Sequence, residues 1–240
     1  MKKEYWIILI VYICMHLSNL VAIPLLMISF KFTGVDPGLA TPIWLIASFT
    51  IALIIILFIL RKEIRTGGKN ERSLSAGNLI KWAILGFFLA LFAQYAAAII
   101  ENLLGIEMGS ENTQQILGII ETFPLAVLVT SIIGPILEEI VFRKIIFGAL
   151  HKRFHFFIAA LISSVIFAIV HMEPVHILIY SAMGFSFAYL YVKTKTILVP
   201  IFAHVSMNTL VVLVQSVYKE DIERLLKEAE AVQNFIGGFF

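Results

Sequence analysis

From Tyr5 to Phe30, and again from Pro42 to Leu60, the chain carries no Asp, Glu, Lys or Arg. Uncharged runs of about 18 residues or more are long enough to cross the hydrocarbon of a bilayer as helices, and in hydrocarbon the backbone must bond to itself. A water-soluble fold would have to cover such runs with polar surface, and the chain lacks it. Of its 240 residues 60% are hydrophobic and 14% charged, against about 45–50% and about 25% in soluble domains. The expected fold class is all-α, a polytopic transmembrane helix bundle with the lipid bilayer as its first partner. A formal net charge of +2, with no basic stripe among the apolar segments, argues against a nucleic-acid partner. The single cysteine, Cys14, rules out an intrachain disulfide and reads as a small core residue.

About seven spans are expected, at about 5–30, 42–60, 79–100, 124–150, 156–171, 175–192 and 197–217. The first shares only its leading Lys2 and Lys3 with a signal peptide. Its apolar part exceeds the roughly 7–15 residues of a signal core, so it reads as a retained helix. Arg61 and Lys62 are expected to stop the second span, with 61–78 a polar loop. Residues 101–122 hold Glu101, Glu107, Glu111 and Glu121 without a Lys or Arg, and read as an acidic loop containing a short amphipathic piece around 114–120. Gly134-Pro135 interrupts the fourth span and should kink it, freeing backbone groups at membrane depth. Residues 219–233 read as a charged helix in solvent or along the interface. Placing the N-terminus inside puts fourteen of the 18 basic residues on the inner side, the distribution that membrane insertion favours. The expectation is a multi-pass protein of the cell membrane with a cytoplasmic N-terminus.

An ionisable group at mid-bilayer costs at least about 2.5–3.5 kcal/mol, so each one within a span is a candidate for function. The fourth span contains Glu138, Glu139 and Arg143, the fifth ends in Phe167 and His171, and the seventh carries His204 and Asn208. Glu139 and Arg143 stand four apart with the acid first, the favourable order for an ion pair within one helix. Glu138 is rotated by about 100° from Glu139 and has no such partner, so it should look to His171 or His204 on other helices. His204 and Asn208 share a helix face. A carboxylate and an imidazole holding one water form a general base, and a second imidazole with an amide can stabilise an oxyanion. That set suits hydrolysis of an amide bond without a serine or cysteine nucleophile. Glu138, His171 and His204 equally match the ligand type of a catalytic zinc site, and the residues alone leave both readings open.

Glu138-Glu139-x-x-x-Arg143, then Phe167-x-x-x-His171, then His204-x-x-x-Asn208, in this order on separate apolar spans, resembles the three-motif signature of the CAAX protease and bacteriocin-processing family of intramembrane proteases, also called the Abi family. The resemblance covers about 124–212 and departs from the signature at no motif position. It implies a bundle of about seven helices around a wet, polar intramembrane cavity, divided into variable helices 1–123, a catalytic core 124–217 and an amphipathic tail 218–240. It implies that Glu138 and His171 activate water, that His204 and Asn208 hold the oxyanion, and that Glu139, Arg143 and Phe167 support them. No metal is the favoured reading, and zinc on Glu138, His171 and His204 is the second. Eukaryotic members trim prenylated CAAX proteins. Compact loops and no targeting signal resemble a bacterial member, whose substrate would be a peptide or a membrane protein.

Two other functions fit the composition. A non-catalytic bacteriocin-immunity or scaffold protein would keep the fold and tolerate Glu138→Gln. A proton-coupled transporter would also bury Glu and His, but the chain has no internal repeat and a single Gly-Pro break. Outside the motifs, His16 and Asn19 read as interhelical glue, Glu173 and His176 as a short polar turn, and Ser163 and Ser164 as packing groups.

Overall fold

The computed structural model describes residues 1–67, 74–218 and Arg224, and among these residues every regular element is helical. Helix α1 spans Lys3–Thr33 and ends where Gly34 adopts a left-handed φ of 75°. Val35 N–H then reaches back to Phe30 O at 3.0 Å, a closure that needs a residue free of Cβ strain at the turn. The Asp36 side chain accepts from Gly38 N–H at 2.9 Å and starts a 3-10 turn, Pro37–Leu39, that feeds α2, Ala40–Gly67. Next come α3, Ala76–Leu103, and α4, Glu111–Thr122. Helix α5 occupies 126–150, and α6 is Phe156–Val170. A 3-10 turn, Pro174–His176, leads into α7, Ile177–Thr194, and α8 is Leu198–Val217. The charged helix expected at 219–233 lies outside the described residues apart from Arg224.

Among the described residues five helices are long and apolar enough to cross a membrane, namely Lys3–Thr33, Pro37–Thr66, Ala76–Leu103, Pro174–Thr194 and Leu198–Ser216. The expected seven spans are thereby corrected. Helix α6 has 15 residues, about 22 Å at 1.5 Å per residue against a hydrocarbon core of about 30 Å. Helix α5 carries four charged residues and is not a regular α-helix. Large apolar side chains such as Leu20, Phe92 and Leu103 face outward, as a bilayer permits and water does not. Cys14 is also exposed, which corrects its expected place in the core.

Helices run into both expected loops, and residues 68–73 of the first lie outside the described residues. Arg61 and Lys62 do not stop α2, which runs on to Gly67. The added turn presents Glu63 to Lys2 at 3.1 Å, to the Tyr5 hydroxyl at 3.0 Å and to Lys144 at 2.7 Å, tying α1, α2 and α5 together at one end. Glu101 lies within α3 rather than in an acidic loop and is 3% exposed. The amphipathic piece around 114–120 forms part of α4, capped where the Ser110 hydroxyl accepts from Thr113 N–H at 3.1 Å.

Helix α5 is the centre of the bundle, packed by α1, α2, α6, α7 and α8. Its interruption at Gly134-Pro135 takes the form of widened turns. Pro135 has no N–H to give, and the turn before it, Val129–Ile133, is π-helical, with Gly134 N–H bonded to Val129 O. A second π segment, Glu139–Phe147, begins at the second motif carboxylate and closes with Gly148 N–H on Arg143 O. Such segments are frequent at functional sites. The Ser163 hydroxyl of α6 donates to Phe142 O at 2.9 Å, a bond from a neighbouring helix to a carbonyl within the π segment. Helices α6 and α7 approach closely at Gly184, where a Cβ would stand 3.0 Å from Ser164 Cβ.

Candidate active site

The widened α5 carries Glu138, Glu139 and Arg143 into the middle of the bundle. Glu139 and Arg143 are both fully buried, and Arg143 Nε stands 3.2 Å from Glu139 Oε2. This is the pair expected from their spacing, but the contact is one of charge rather than a well-directed hydrogen bond. The two Nη groups of Arg143 meet no hydrogen-bond acceptor among the described residues. The guanidinium instead lies among aromatic rings, with Cζ 4.3 Å from the Phe167 centroid and 5.2 Å from that of Phe187, the arrangement in which a ring face attracts a cation.

Glu139 is not neutralised within its own helix alone. Its Oε1 accepts from His204 Nδ1 of α8 at 2.9 Å. A carboxylate can only accept, so Nδ1 carries the hydrogen and Nε2 is left on the other edge of the ring. That edge faces Glu138, whose Oε2 is 3.6 Å from His204 Nε2. His204 therefore lies between the two carboxylates, held flat against Phe187 with centroids 4.6 Å apart and planes 20° apart.

His171 follows the last turn of α6, and its Nδ1 donates to Phe167 O at 2.8 Å. Its Nε2 is then also the uncommitted nitrogen, and the ring interacts electrostatically with both Glu138 and His204. Tyr180 of α7 stacks on His171 with centroids 4.1 Å apart and planes 28° apart, and Phe167 meets it edge-on at 4.4 Å. Phe167 thus touches Arg143, His171 and, at 6.0 Å, His204. Asn208 points to α5, where Nδ2 donates to Thr130 O at a long 3.4 Å. Its second amide hydrogen is not needed for that bond.

Beside this centre stands a clamp that the sequence reading left as a polar turn. The Tyr180 hydroxyl donates to Glu173 Oε2 at 2.7 Å, and the Ser110 hydroxyl donates to the same oxygen at 2.8 Å. His176 places Nδ1 2.7 Å from Glu101 Oε2 and Nε2 2.6 Å from Gly109 O, and Glu101 Oε1 accepts from Leu178 N–H at 3.1 Å and Ile179 N–H at 3.2 Å. Burial pushes the Glu173 carboxyl up, but the bonds from Tyr180, Ser110 and the Asn112 and Glu111 backbone outweigh it and hold the group below the usual carboxylate range. The chain reverses between His171 and Glu173 through Met172, a non-glycine residue at φ 56°, which brings the clamp back beneath the imidazole.

His16 of α1, which sequence reasoning set aside with Asn19, also faces this region. His16 packs edge-on against Tyr12 at 4.7 Å and Phe49 at 5.7 Å, and interacts electrostatically with Glu138 and His171. A signal was available, because Tyr12, His16 and Asn19 follow the 0, 4, 7 spacing of one helix face.

Among the described residues, no group of three or more His, Cys, Asp and Glu side chains is disposed to hold a metal ion. The bond from His204 Nδ1 to Glu139 does not itself bar a metal, since Nε2 is the nitrogen a ligand would use.

Fold and centre together define a class, a helical membrane bundle with a buried carboxylate, imidazole and guanidinium cluster where the widened α5 meets α6 and α8. The family described as Type II CAAX prenyl endopeptidase Rce1-like matches residues 120–210, a stretch that includes all three motifs. A Bacillus subtilis (strain 168) protein named "Putative membrane peptidase YdiL" is 49% identical over 247 aligned residues, covering 100% of each chain. The "Membrane-embedded CAAX protease MroQ" of Staphylococcus aureus (strain USA300) is 37% identical over 169 residues, 68% of this chain and 67% of that one. The chain belongs to the Rce1-like type II CAAX prenyl endopeptidase family. No solved structure matches it.

Proposed function

We propose that the chain is an intramembrane endopeptidase that hydrolyses a peptide bond of a peptide or membrane-associated protein in a bacterial cell membrane, with its N-terminus on the cytoplasmic side. The observation that carries this reading is the commitment of both Nδ1 atoms, of His204 to Glu139 and of His171 to Phe167 O. Each imidazole keeps one nitrogen free, and Glu138 is the carboxylate that both rings feel.

Glu138 and His171 take the proton of a water as it attacks the scissile carbonyl. The tetrahedral oxyanion is met by His204 Nε2–H and the spare N–H of Asn208, where one such donor is worth roughly 3 kcal/mol. In that role the His204 ring carries hydrogens on both nitrogens, with a carboxylate facing each. Glu138 or His171 returns the proton to the leaving amine. Glu139, Arg143 and Phe167 hold His204 and His171 in place and do not touch the substrate. Every step uses side chains alone, and none is routed through a metal.

The test is cleavage of a quenched, lipidated peptide library by the purified protein in detergent, with metal content measured in the same samples. Wild type should cleave, and Glu138→Gln should fall to background with little change in melting temperature, because Glu138 is partly exposed and its contact with His204 is a long 3.6 Å. Equal cleavage by Glu138→Gln would refute the reading, and cleavage that tracks one bound zinc per chain would refute the metal-free mechanism.

A further inference from the structure

Helix α1 lies outside the matched residues 120–210, yet it carries two buried polar atoms without partners, one of them on His16 beside the centre. His16 Nε2 and Asn19 Oδ1 are shielded from solvent and have no hydrogen-bond partner among the described residues. Leaving a buried polar atom unpaired costs about 1–3 kcal/mol, and such groups in a native fold ask for an explanation. Packing between α1 and α2 does not supply it. That role belongs to Ser18, which accepts from Trp44 Nε1 at 3.1 Å and donates to Met15 O at 2.6 Å. Nor is His16 remote from the chemistry. Phe49, which touches the His16 ring, also lies 3.8 Å from the Cβ position of Gly134, and Glu138 Oε1 lies 4.0 Å from that same position. Gly134 permits this close approach, since a Cβ there would also stand 3.1 Å from Val129 O.

The two residues stand three apart and share a helix face. Asn19 Oδ1 is an acceptor, and His16 Nε2 can donate. A main-chain peptide unit offers one N–H and one C=O, the complement of that pair. A scissile segment lying against Glu138 must be extended to expose its carbonyl, and its own N–H and C=O groups are then unpaired in an apolar setting.

We propose that His16 and Asn19 form a main-chain binding site for the extended peptide substrate, with Asn19 Oδ1 accepting a substrate N–H and His16 Nε2–H donating to a substrate C=O beside the scissile bond. This inference rests on the endopeptidase reading of the Glu138 centre. It adds that the first helix, which carries none of the motif residues, supplies the wall on which the substrate is aligned.

The experiment is steady-state cleavage of one quenched lipidated peptide, selected as a substrate of wild type, together with the set of its variants N-methylated at single peptide groups near the cleaved bond. Asn19→Ala should raise KM and lower kcat/KM about tenfold, the worth of one hydrogen bond. N-methylation at one position should cause a similar loss in wild type and no further loss in Asn19→Ala. His16→Ala should lose a comparable factor, and His16→Gln, which keeps a donor, should recover part of it. Melting temperatures of Asn19→Ala and His16→Gln should match wild type, while His16→Ala, which takes a ring away from Tyr12 and Phe49, should melt lower. Equal sensitivity of Asn19→Ala and wild type to methylation at every position would overturn the proposal. So would kinetics of His16→Ala and Asn19→Ala within twofold of wild type, or losses in Asn19→Ala and His16→Gln that follow a fall in melting temperature, which would make the pair a water-bridged packing element. Glu138→Ala is measured in parallel. If it cleaves as wild type does, the active-site reading itself fails, whereas an inactive Glu138→Ala beside unaffected α1 variants refutes only the substrate wall.

Discussion

Glu139→Gln isolates the charge of the buried ion pair from the shape of the site. Glutamine keeps an oxygen to accept from His204 Nδ1, so the 2.9 Å bond can survive, but Arg143 loses the carboxylate 3.2 Å away while remaining fully buried. Removing one partner of a buried pair costs about 3–5 kcal/mol, because the other charge is left uncompensated. Glu138 also feels Arg143, and the rings of Phe167 and Phe187 still face the guanidinium, so the lower end, about 3 kcal/mol, is expected. At about 2–4 °C per kcal/mol for a chain of this size, the melting temperature should fall by about 6–12 °C. The assay is thermal unfolding in detergent of wild type, Glu139→Gln, and the double variant Glu139→Gln with Arg143→Met, which removes both charges and conserves much of the arginine volume. The double variant should recover most of the loss. A single variant that costs under about 1 kcal/mol, or a double variant as unstable as the single, would refute the claim that uncompensated charge sets the penalty.

Tyr180→Phe keeps the ring stacked on His171 and gives up the 2.7 Å bond to Glu173, so it should cost about 1 kcal/mol of stability and leave kcat within a few fold. Tyr180→Ala also removes the stack and should lower kcat by about 10-fold or more, with thermal unfolding and cleavage rates read together. Gly184→Ala places a Cβ 3.0 Å from Ser164 Cβ and 3.1 Å from its Cα, and should destabilise by about 1–3 kcal/mol because backbone must move. The Glu173 carboxyl is held below its ordinary value, so its contribution to stability is complete above the unfolded value of about 4.3 and is lost as pH falls through the depressed folded value. The gap in melting temperature between wild type and Glu173→Gln should be constant from pH 7 to 5 by this rule and narrow in more acid buffer, and a gap that narrows toward neutral pH would contradict it.

What was legible in the sequence was whatever depends on neighbours along one helix. Uncharged runs located the long helices, and the spacing of Glu139 and Arg143 placed their ion pair. The missing N–H of Pro135 marked where α5 would depart from regular geometry, though not that it would widen on both sides. The contacts that complete the centre join residues 65 and 75 positions apart, His204 with Glu139 and His176 with Glu101, and no local pattern encodes them. The two loops expected at charged residues were placed too early along the chain for a related reason. Arg61 and Lys62 end a hydrophobic run without ending a helix, because Glu63 finds its partners on α1 and α5. Glu101 was counted as loop charge because its three donors, from His176, Leu178 and Ile179, come from a segment far along the chain.

The widened turns of α5 limit the kinds of change this helix can accept. A π turn holds one residue more than an α turn over the same rise, so loss of a single residue between 139 and 147 would let the backbone relax to ordinary helical pairing without breaking the chain's course. The flanks would keep nearly their present orientation, and the residues inside the segment would lose the displacement that the extra residue gives them. Arg143 lies in the middle of that segment, so the loss would shift its guanidinium against Glu138 and the aromatic rings of α6 and α7. Side chains along α5 can be exchanged within limits of volume, but its residue count between the first motif carboxylate and Gly148 is as fixed as the carboxylate itself.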